Sequence, residues 1–197
     1  GVSYITLCHN GNNDICDSAR GEAEWNGLSP FGKDVIRKMN ELGILVDISH
    51  AAESTFYDAL ETSAYPIIAS HSSARALCNH PRNLTDEQLK ALAAQGGVVQ
   101  VCLYKGFINE DAEKASLSDA IRHITHIVDL IGIHHVGIGS DFDGDGELIG
   151  CRASNELINI TVRLIKEGYT ENDIAKIWGG NLLRVMNKAQ SASNNKI

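Results

Sequence analysis

The sequence lacks several features that would place it in common functional classes. Its 197 residues carry a formal net charge of −8, and the basic residues form no stripe with interleaved aromatic side chains. Binding to a nucleic-acid backbone depends on positive charge, so no nucleic-acid partner is expected. No apolar run approaches the length needed to cross a bilayer, so no transmembrane segment is predicted in this chain. The remaining composition, with 43% hydrophobic residues, is typical of a soluble globular protein.

Recognisable cysteine and catalytic motifs are also missing. The five cysteines form no C-x-x-C pair and no zinc-ribbon spacing. Their odd number favours free thiols in a reducing compartment, and the location stays open between the cytoplasm and a periplasmic or other extracytoplasmic space. The sequence contains no G-x-S-x-G, P-loop, G-x-G-x-x-G or H-E-x-x-H motif. Serine hydrolases, nucleotide-binding folds and helix-borne zinc peptidases are therefore not indicated.

Two short apolar runs, each with a histidine near its end, are the most informative feature present. Residues 44–50 and 66–72 are rich in β-branched side chains, which favours buried strands. Residues 52–62 between them are long enough for a crossover helix, so the two strands should be parallel neighbours. This arrangement would place His50 and His71 together at the carboxyl edge of a sheet, where two imidazoles can share a metal ion. Two unrelated strand-end histidines are the alternative.

Strands and helices are predicted to alternate along the whole chain. The predicted strands are 2–8, 44–50, 66–72, 98–104 and 135–141, and the predicted helices are 30–42, 52–62, 85–95, 116–131, 155–166 and 170–188. This alternation predicts an α/β fold with a parallel sheet covered by helices, in a single domain over residues 1–197. Four of the five predicted strands end at or just before a histidine or an aspartate, and the strand 98–104 ends at Tyr104. These side chains would lie at the carboxyl edge of the sheet, where α/β folds place their chemistry.

Three further side chains near this edge are candidates for chemistry. Asp141 could ligate a metal, act as a general base on a metal-bound water, or cap a helix. Asp141, Asp143 and Asp145, followed by Gly146, resemble a calcium loop, but Arg152 replaces the glutamate that such a loop requires. Arg82 suits a bidentate grip on a substrate carboxylate, with a surface arginine as the alternative. His9 could ligate a metal or donate to an oxyanion.

Several segments, taken together, resemble the membrane (renal) dipeptidase family of zinc peptidases. The matching stretches are YITLCHN (4–10), GLSPFG (27–32), VDISH (46–50), ASHSSA (69–74), HPRN (80–83), VGIGSDFDG (136–144) and NLLRV (181–185). They are spread over essentially the whole chain and are specific in combination. The resemblance implies a (β/α)8 TIM barrel with a binuclear zinc centre, which hydrolyses dipeptides that have a free carboxyl terminus.

The resemblance also implies roles for individual residues. His50 and His71 match the two histidines that hold the second metal, and a water bridging both metals would be the nucleophile. Arg82 matches the arginine that binds the substrate carboxylate, and Asp141 matches the carboxylate that handles protons at the scissile bond.

Two more residues match positions that contact the substrate in the family. His9 matches the histidine that contacts the substrate and stabilises the tetrahedral intermediate. Tyr104 falls where the family lines its pocket.

The sequence departs from the family pattern at the first metal. The family has an amino-terminal His-x-Asp pair that binds this metal and a glutamate that bridges both metals, and these ligands are missing here. We therefore expect the chain to be the carboxy-terminal part of a barrel, supplying about the last five of its βα units, with at most a partial metal site and little activity alone. Association with the missing amino-terminal part, or a homodimer, is expected.

Two other functions stay open at this point. One is a related barrel hydrolase that acts on other amides, lactams or esters. The other is a non-catalytic binding protein that retains the fold.

Overall fold

Five short strands carry the fold. In a computed structural model that describes residues 1–194, the strands form one sheet in the order β1-β2-β3-β4-β5. They are β1 (Tyr4–Thr6), β2 (Leu45–Asp47), β3 (Ile68–Ser72), β4 (Val98–Cys102) and β5 (Val136–Gly139). The pairs β1–β2, β2–β3 and β4–β5 are parallel. The predicted α/β class and the predicted parallel pairing of the two histidine-bearing strands are confirmed.

The strands are shorter than the apolar runs predicted. Strand β2 ends at Asp47, and His50 follows three residues later with a left-handed φ of 71°. Strand β5 ends at Gly139, and Asp141 follows with φ 59°. His71 lies inside β3. The chain turns sharply after β2 and β5, so two of the candidate side chains stand on turns and not on strands.

Five of the six predicted helices begin within one residue of the predicted start, and the helix predicted from residue 155 begins at Ile158. They are α1 (Pro30–Glu41), α2 (Glu53–Thr62), α3 (Asp86–Ala94), α4 (Lys105–Ile108), α5 (Leu117–Ile131), α6 (Ile158–Lys166), α7 (Glu171–Ala175) and α8 (Asn181–Asn194). Ser29 accepts the N–H of Gly32 at the start of α1. Ser116 forms a capping box with Asp119 at the start of α5. Helix α4 was not predicted, because four residues are too few to show a periodic pattern.

The predicted helix 170–188 is interrupted. A π-helical segment, Lys176–Gly180, separates α7 from α8 at the glycine pair 179–180. The side-chain amide of Asn181 donates to the carbonyls of Ile133 and Val136, at 2.7 and 2.8 Å. These bonds fix the first residue of α8 beside the start of β5.

The described residues divide into two compact units. Unit 1 contains residues 1–70, 91–98 and the chain from 182 onward, and unit 2 contains residues 71–90 and 99–181. The core of unit 1 is built by Leu45, Ile68, Val98, Val185 and Ala189. In unit 2 the buried apolar side chains include Val101, Ile124, Ile127, Val136 and Leu164. The single domain over residues 1–197 stays a prediction. Within residues 1–194, every helix is too short or too polar to cross a bilayer.

Candidate functional site

A long loop in unit 1, residues 9–29, is ordered by one buried carboxylate. Asp17 accepts the backbone N–H groups of Glu24, Trp25 and Gly27, at 3.0 to 3.1 Å. Burial raises the pKa of the Asp17 carboxyl, but the backbone N–H donors together outweigh burial and hold the pKa below its ordinary value. The loop is therefore folded around an anion, although it contains almost no regular secondary structure.

This loop brings two candidate histidines together. The imidazole rings of His9 and His50 have centroids 4.4 Å apart and are tilted by 36°. The carbonyl of His9 accepts the Ser18 hydroxyl at 2.8 Å, and the carbonyl of His50 accepts the Ala19 N–H at 2.7 Å. Both histidines are thus held through their backbones by the same part of the loop, and His9 is exposed to solvent.

A second buried carboxylate connects the three strands of unit 1. Asp47, at the end of β2, is fully buried. Its Oδ2 accepts the hydroxyls of Thr6 on β1 and Ser70 on β3, both at 2.6 Å. Its Oδ1 accepts the backbone N–H groups of Ser49 at 3.0 Å and Ser70 at 2.9 Å. Because Ser49 directly precedes His50, this carboxylate fixes the turn that carries the histidine.

In unit 2, Arg82 is buried against aromatic side chains. Arg82 is only 3% exposed, and its Cζ lies 5.1 Å from the ring centroid of Phe107. The rings of His80 and Tyr104 lie 4.5 and 4.8 Å from the same phenylalanine ring. The alternative of a surface arginine is therefore wrong. The role of Arg82 in binding a substrate carboxylate stays a prediction.

Asn83 holds the loop that presents Arg82. Its side-chain amide donates to the carbonyls of Cys78 at 2.9 Å and Phe107 at 2.8 Å, and its Oδ1 accepts the N–H of Ser73 at 3.1 Å. The side chain thus uses both amide protons and its oxygen within unit 2. Sequence reasoning gave Asn83 no role of its own, although it belongs to the matched stretch HPRN.

Asp141 meets a buried thiol in the same unit. Cys102, the last residue of β4, is fully buried and donates its S–H to Asp141 Oδ2 at 3.5 Å. Burial raises the pKa of the Cys102 thiol, the N–H of Tyr104 lowers it, the charge of Asp141 raises it and the charge of Arg82 lowers it. Asp141 and Arg82 therefore both lie within electrostatic range of one thiol. Cys102 and Phe107 contact the candidate residues Asp141 and Arg82, and no sequence pattern indicated either contact.

The residues present do not complete a metal site. His50 belongs to unit 1 and His71, half-buried on β3, belongs to unit 2. Imidazole is a ligand that zinc accepts, but a catalytic zinc has three protein ligands. Among residues 1–194 no three His, Cys, Asp or Glu side chains are grouped so that they could hold a metal ion. The pairing of His50 with His71 stays a prediction.

Comparison with known proteins identifies the family. The sequence model of "Membrane dipeptidase (Peptidase family M19)" matches residues 1–196. The chain is 38% identical over 195 residues to "Dipeptidase tcpJ" of Claviceps purpurea, covering 98% of this chain and 46% of that protein. It is 40% identical over 188 residues to "Uncharacterized dipeptidase C3A11.10c" of Schizosaccharomyces pombe, covering 94% and 46%. The chain thus spans about half the length of the curated relatives it matches.

Solved structures share the fold over nearly all of this chain. The probable dipeptidase PvdM of Pseudomonas aeruginosa superposes with a TM-score of 0.94 at 29% identity, over 97% of this chain and 63% of that one. A metallo peptidase of Rhodobacter sphaeroides, liganded with a phosphinate mimic of the dipeptide L-Ala-D-Ala, superposes with a TM-score of 0.89 at 26% identity, over 96% and 56%. The five-stranded parallel sheet is therefore part of a dipeptidase barrel, as predicted. The chain belongs to the membrane dipeptidase family, Peptidase family M19.

Proposed function

We propose that the protein to which this chain belongs is a metal-dependent dipeptidase acting on dipeptides with a free carboxyl terminus. The observation that supports this most directly is that, in unit 2, the Asp141 carboxylate accepts the Cys102 thiol and the buried Arg82 guanidinium lies within electrostatic range of the same thiol. A dipeptide needs a cation for its carboxylate and a group that moves a proton at its peptide bond. The phosphinate mimic of a dipeptide bound by the Rhodobacter sphaeroides relative supports this substrate class.

The proposed roles in unit 2 follow from the chemistry of each side chain. Arg82 forms two parallel hydrogen bonds to the substrate carboxylate. Tyr104, packed on the edge of Phe107, lines the pocket beside it. Asp141 accepts a proton from the attacking water and delivers it to the leaving amine. Because both side chains contact Phe107, Arg82 and Tyr104 would be held close enough together to contact the same substrate.

The three histidines are proposed to stabilise the negative charge of the reaction and to bind a metal ion. His9, exposed beside His50, donates to the oxyanion that forms when the peptide carbonyl is attacked. His50 and His71 are proposed ligands of the second of two zinc ions. When bound, such ions lower the pKa of the attacking water. Since the described residues do not complete a metal site, we propose that the other ligands lie in the part of the protein that corresponds to the remaining length of its relatives.

The test uses the full-length protein, purified after chelation and then supplied with zinc or manganese. We expect amino-acid release from dipeptides and none from the same dipeptides amidated at the carboxyl terminus. Arg82→Met should lower kcat/KM for dipeptides at least about 100-fold, since it removes a charged bidentate contact. Arg122→Met is the matched control, because the Arg122 side chain is 67% exposed in the same unit.

Other results would overturn the proposal. Hydrolysis of lactams, esters or acyl amides without hydrolysis of any dipeptide would favour a related barrel hydrolase. Binding of dipeptides without turnover, at every metal tested, would favour a binding protein. The 197-residue chain alone is expected to bind zinc weakly and to release little or no amino acid. Tight stoichiometric zinc binding measured by calorimetry would contradict that expectation.

A further inference from the structure

Two hydrogen bonds hold the thiol of Cys102. Its Sγ accepts the backbone N–H of Tyr104 at 3.4 Å while its S–H points to Asp141 Oδ2 at 3.5 Å. The carbonyl of Cys102 accepts the Ser73 hydroxyl at 3.4 Å. In the parallel register of β4 and β5, Cys102 lies opposite Gly139, two residues before Asp141. Strand pairing therefore sets the distance between the thiol and the carboxylate.

Asp141 is held equally firmly from its own side. Its carbonyl accepts the N–H groups of Gly144 at 2.9 Å and Gly146 at 2.7 Å, which closes a tight turn around its left-handed backbone. A methyl group at Gly144 would lie 2.6 Å from Asp141 Oδ1. The carboxylate is therefore confined, with Oδ1 against a glycine and Oδ2 at the thiol.

The thiol is suited to act as a donor and not as a nucleophile. Burial, with the negative charge of Asp141 adding to it, keeps the pKa of Cys102 well above its ordinary value. Cys102 therefore retains its proton at neutral pH. Since a protonated thiol can donate one hydrogen bond and no charge, it orients the carboxylate without neutralising it.

We propose that Cys102 is the positioning residue of the Asp141 carboxylate, holding it through an S–H···O hydrogen bond in the orientation that moves the proton during dipeptide hydrolysis. The hydrogen bond itself is independent of activity, and its catalytic consequence rests on the proposed function. Two experiments separate these parts.

The first experiment measures the S–H stretching band of Cys102 by infrared spectroscopy in the full-length protein, as the difference between wild type and Cys102→Ala. Donation to a carboxylate lowers the stretching frequency, so Asp141→Ala should raise it. Asp141→Asn, which keeps the shape with a neutral oxygen, should raise it less. Cys151→Ala removes another fully buried thiol of unit 2 and should leave the band unchanged. A band that does not move in either Asp141 variant would overturn the proposal.

The second experiment measures kinetics in the metal-loaded full-length protein. Cys102→Ala should lower kcat about five- to tenfold while KM stays within about twofold, the size expected for the loss of one ordinary hydrogen bond, because a thiol is a weak donor. Cys102→Ser, which keeps a donor, should restore most of kcat, and Cys151→Ala should match wild type. An unchanged kcat in Cys102→Ala, or a serine variant no better than alanine, would refute the positioning role. If the wild type cleaves no dipeptide, the proposed function fails, and the infrared result still decides whether the hydrogen bond exists.

Discussion

The buried carboxylate of Asp47 should contribute strongly to the stability of unit 1. It accepts four hydrogen bonds from Thr6, Ser49 and Ser70, which connect β1, β2 and β3. Asp47→Ala takes the acceptor away from two backbone N–H groups and two hydroxyls. Each buried donor that loses its partner costs about 1–3 kcal/mol. The hydroxyls can rotate to other acceptors while the N–H groups cannot, so we expect a loss of about 2–6 kcal/mol in the free energy of unfolding.

Asp47→Asn provides a graded comparison. The amide oxygen can still accept the two backbone N–H groups, and the amide nitrogen then faces the hydroxyls of Thr6 and Ser70, which can turn to accept. Only the charge assistance and some geometry are lost, so we expect about 1–3 kcal/mol. Asp34→Asn is the matched control, because its carboxylate is 74% exposed and pairs only with Arg37 on the same helix. The control should change stability very little.

The assay is urea unfolding of the 197-residue chain, followed by far-UV circular dichroism at pH 7. The slope with urea should stay constant across the series, so that the midpoints report stability. Thr6→Val tests the shared bond: combined with Asp47→Asn, it should cost less than the sum of the two single changes. If Asp47→Ala unfolds at the same urea concentration as Asp34→Asn, the inference that the four hydrogen bonds to Asp47 stabilise unit 1 is wrong. Strict additivity with Thr6→Val would contradict the Thr6 bond alone.

Three further predictions concern unit 2. Burial lowers the pKa of His123 to about 4, so between about pH 6.5 and 4 the His123 imidazole binds a proton in the unfolded chain before it does so in the folded chain. The free energy of unfolding should therefore fall by up to about 3 kcal/mol as the pH drops from about 6.5 to 4. His123→Gln should flatten that pH dependence in urea unfolding, and a variant with an unchanged slope would refute it. Asn181→Ala should cost about 1–3 kcal/mol, since the carbonyls of Ile133 and Val136 lose their donor; a thermal midpoint equal to that of wild type would count against these bonds. Gly146→Ala should destabilise the chain by about 1–3 kcal/mol, because a methyl group there would collide with the carbonyls of Ser140 and Asp141. Gly11→Ala, with open space around it, is its control, and equal urea midpoints for the two variants would show that the turn accommodates the methyl group.

The local features of the fold could be predicted because their causes are local. Ser29 caps α1 and Ser116 caps α5 through hydrogen bonds that span only three residues, so the sequence contains both partners. The strand ends could not be predicted in the same way. The apolar run continues to Ile48, but the strand stops at Asp47 because its carboxylate binds Ser49 and Ser70.

The candidate site also contains residues that could be predicted from the sequence and contacts that could not. A resemblance based on short motifs indicated Arg82 and Asp141, and the structure places the Asp141 carboxylate against the Cys102 thiol and the Arg82 guanidinium within electrostatic range of it. The ring contact between His9 and His50 was not expected, because it depends on a loop folded around Asp17. Neither Cys102 nor Phe107 could be recognised in sequence, since a buried thiol and a buried ring look like ordinary core residues.

The sequence by itself determined the α/β class, the parallel order of the strands and the family, since these follow from hydrophobic periodicity and from motifs of a few residues. Only the tertiary structure decided which polar groups meet: Asp47 with Thr6 and Ser70, and Cys102 with Asp141. These pairs are 23 to 41 residues apart in the chain. They become neighbours because parallel strands joined by helices bring distant carboxyl ends to one edge, where hydrogen bonding between buried groups fixes their geometry.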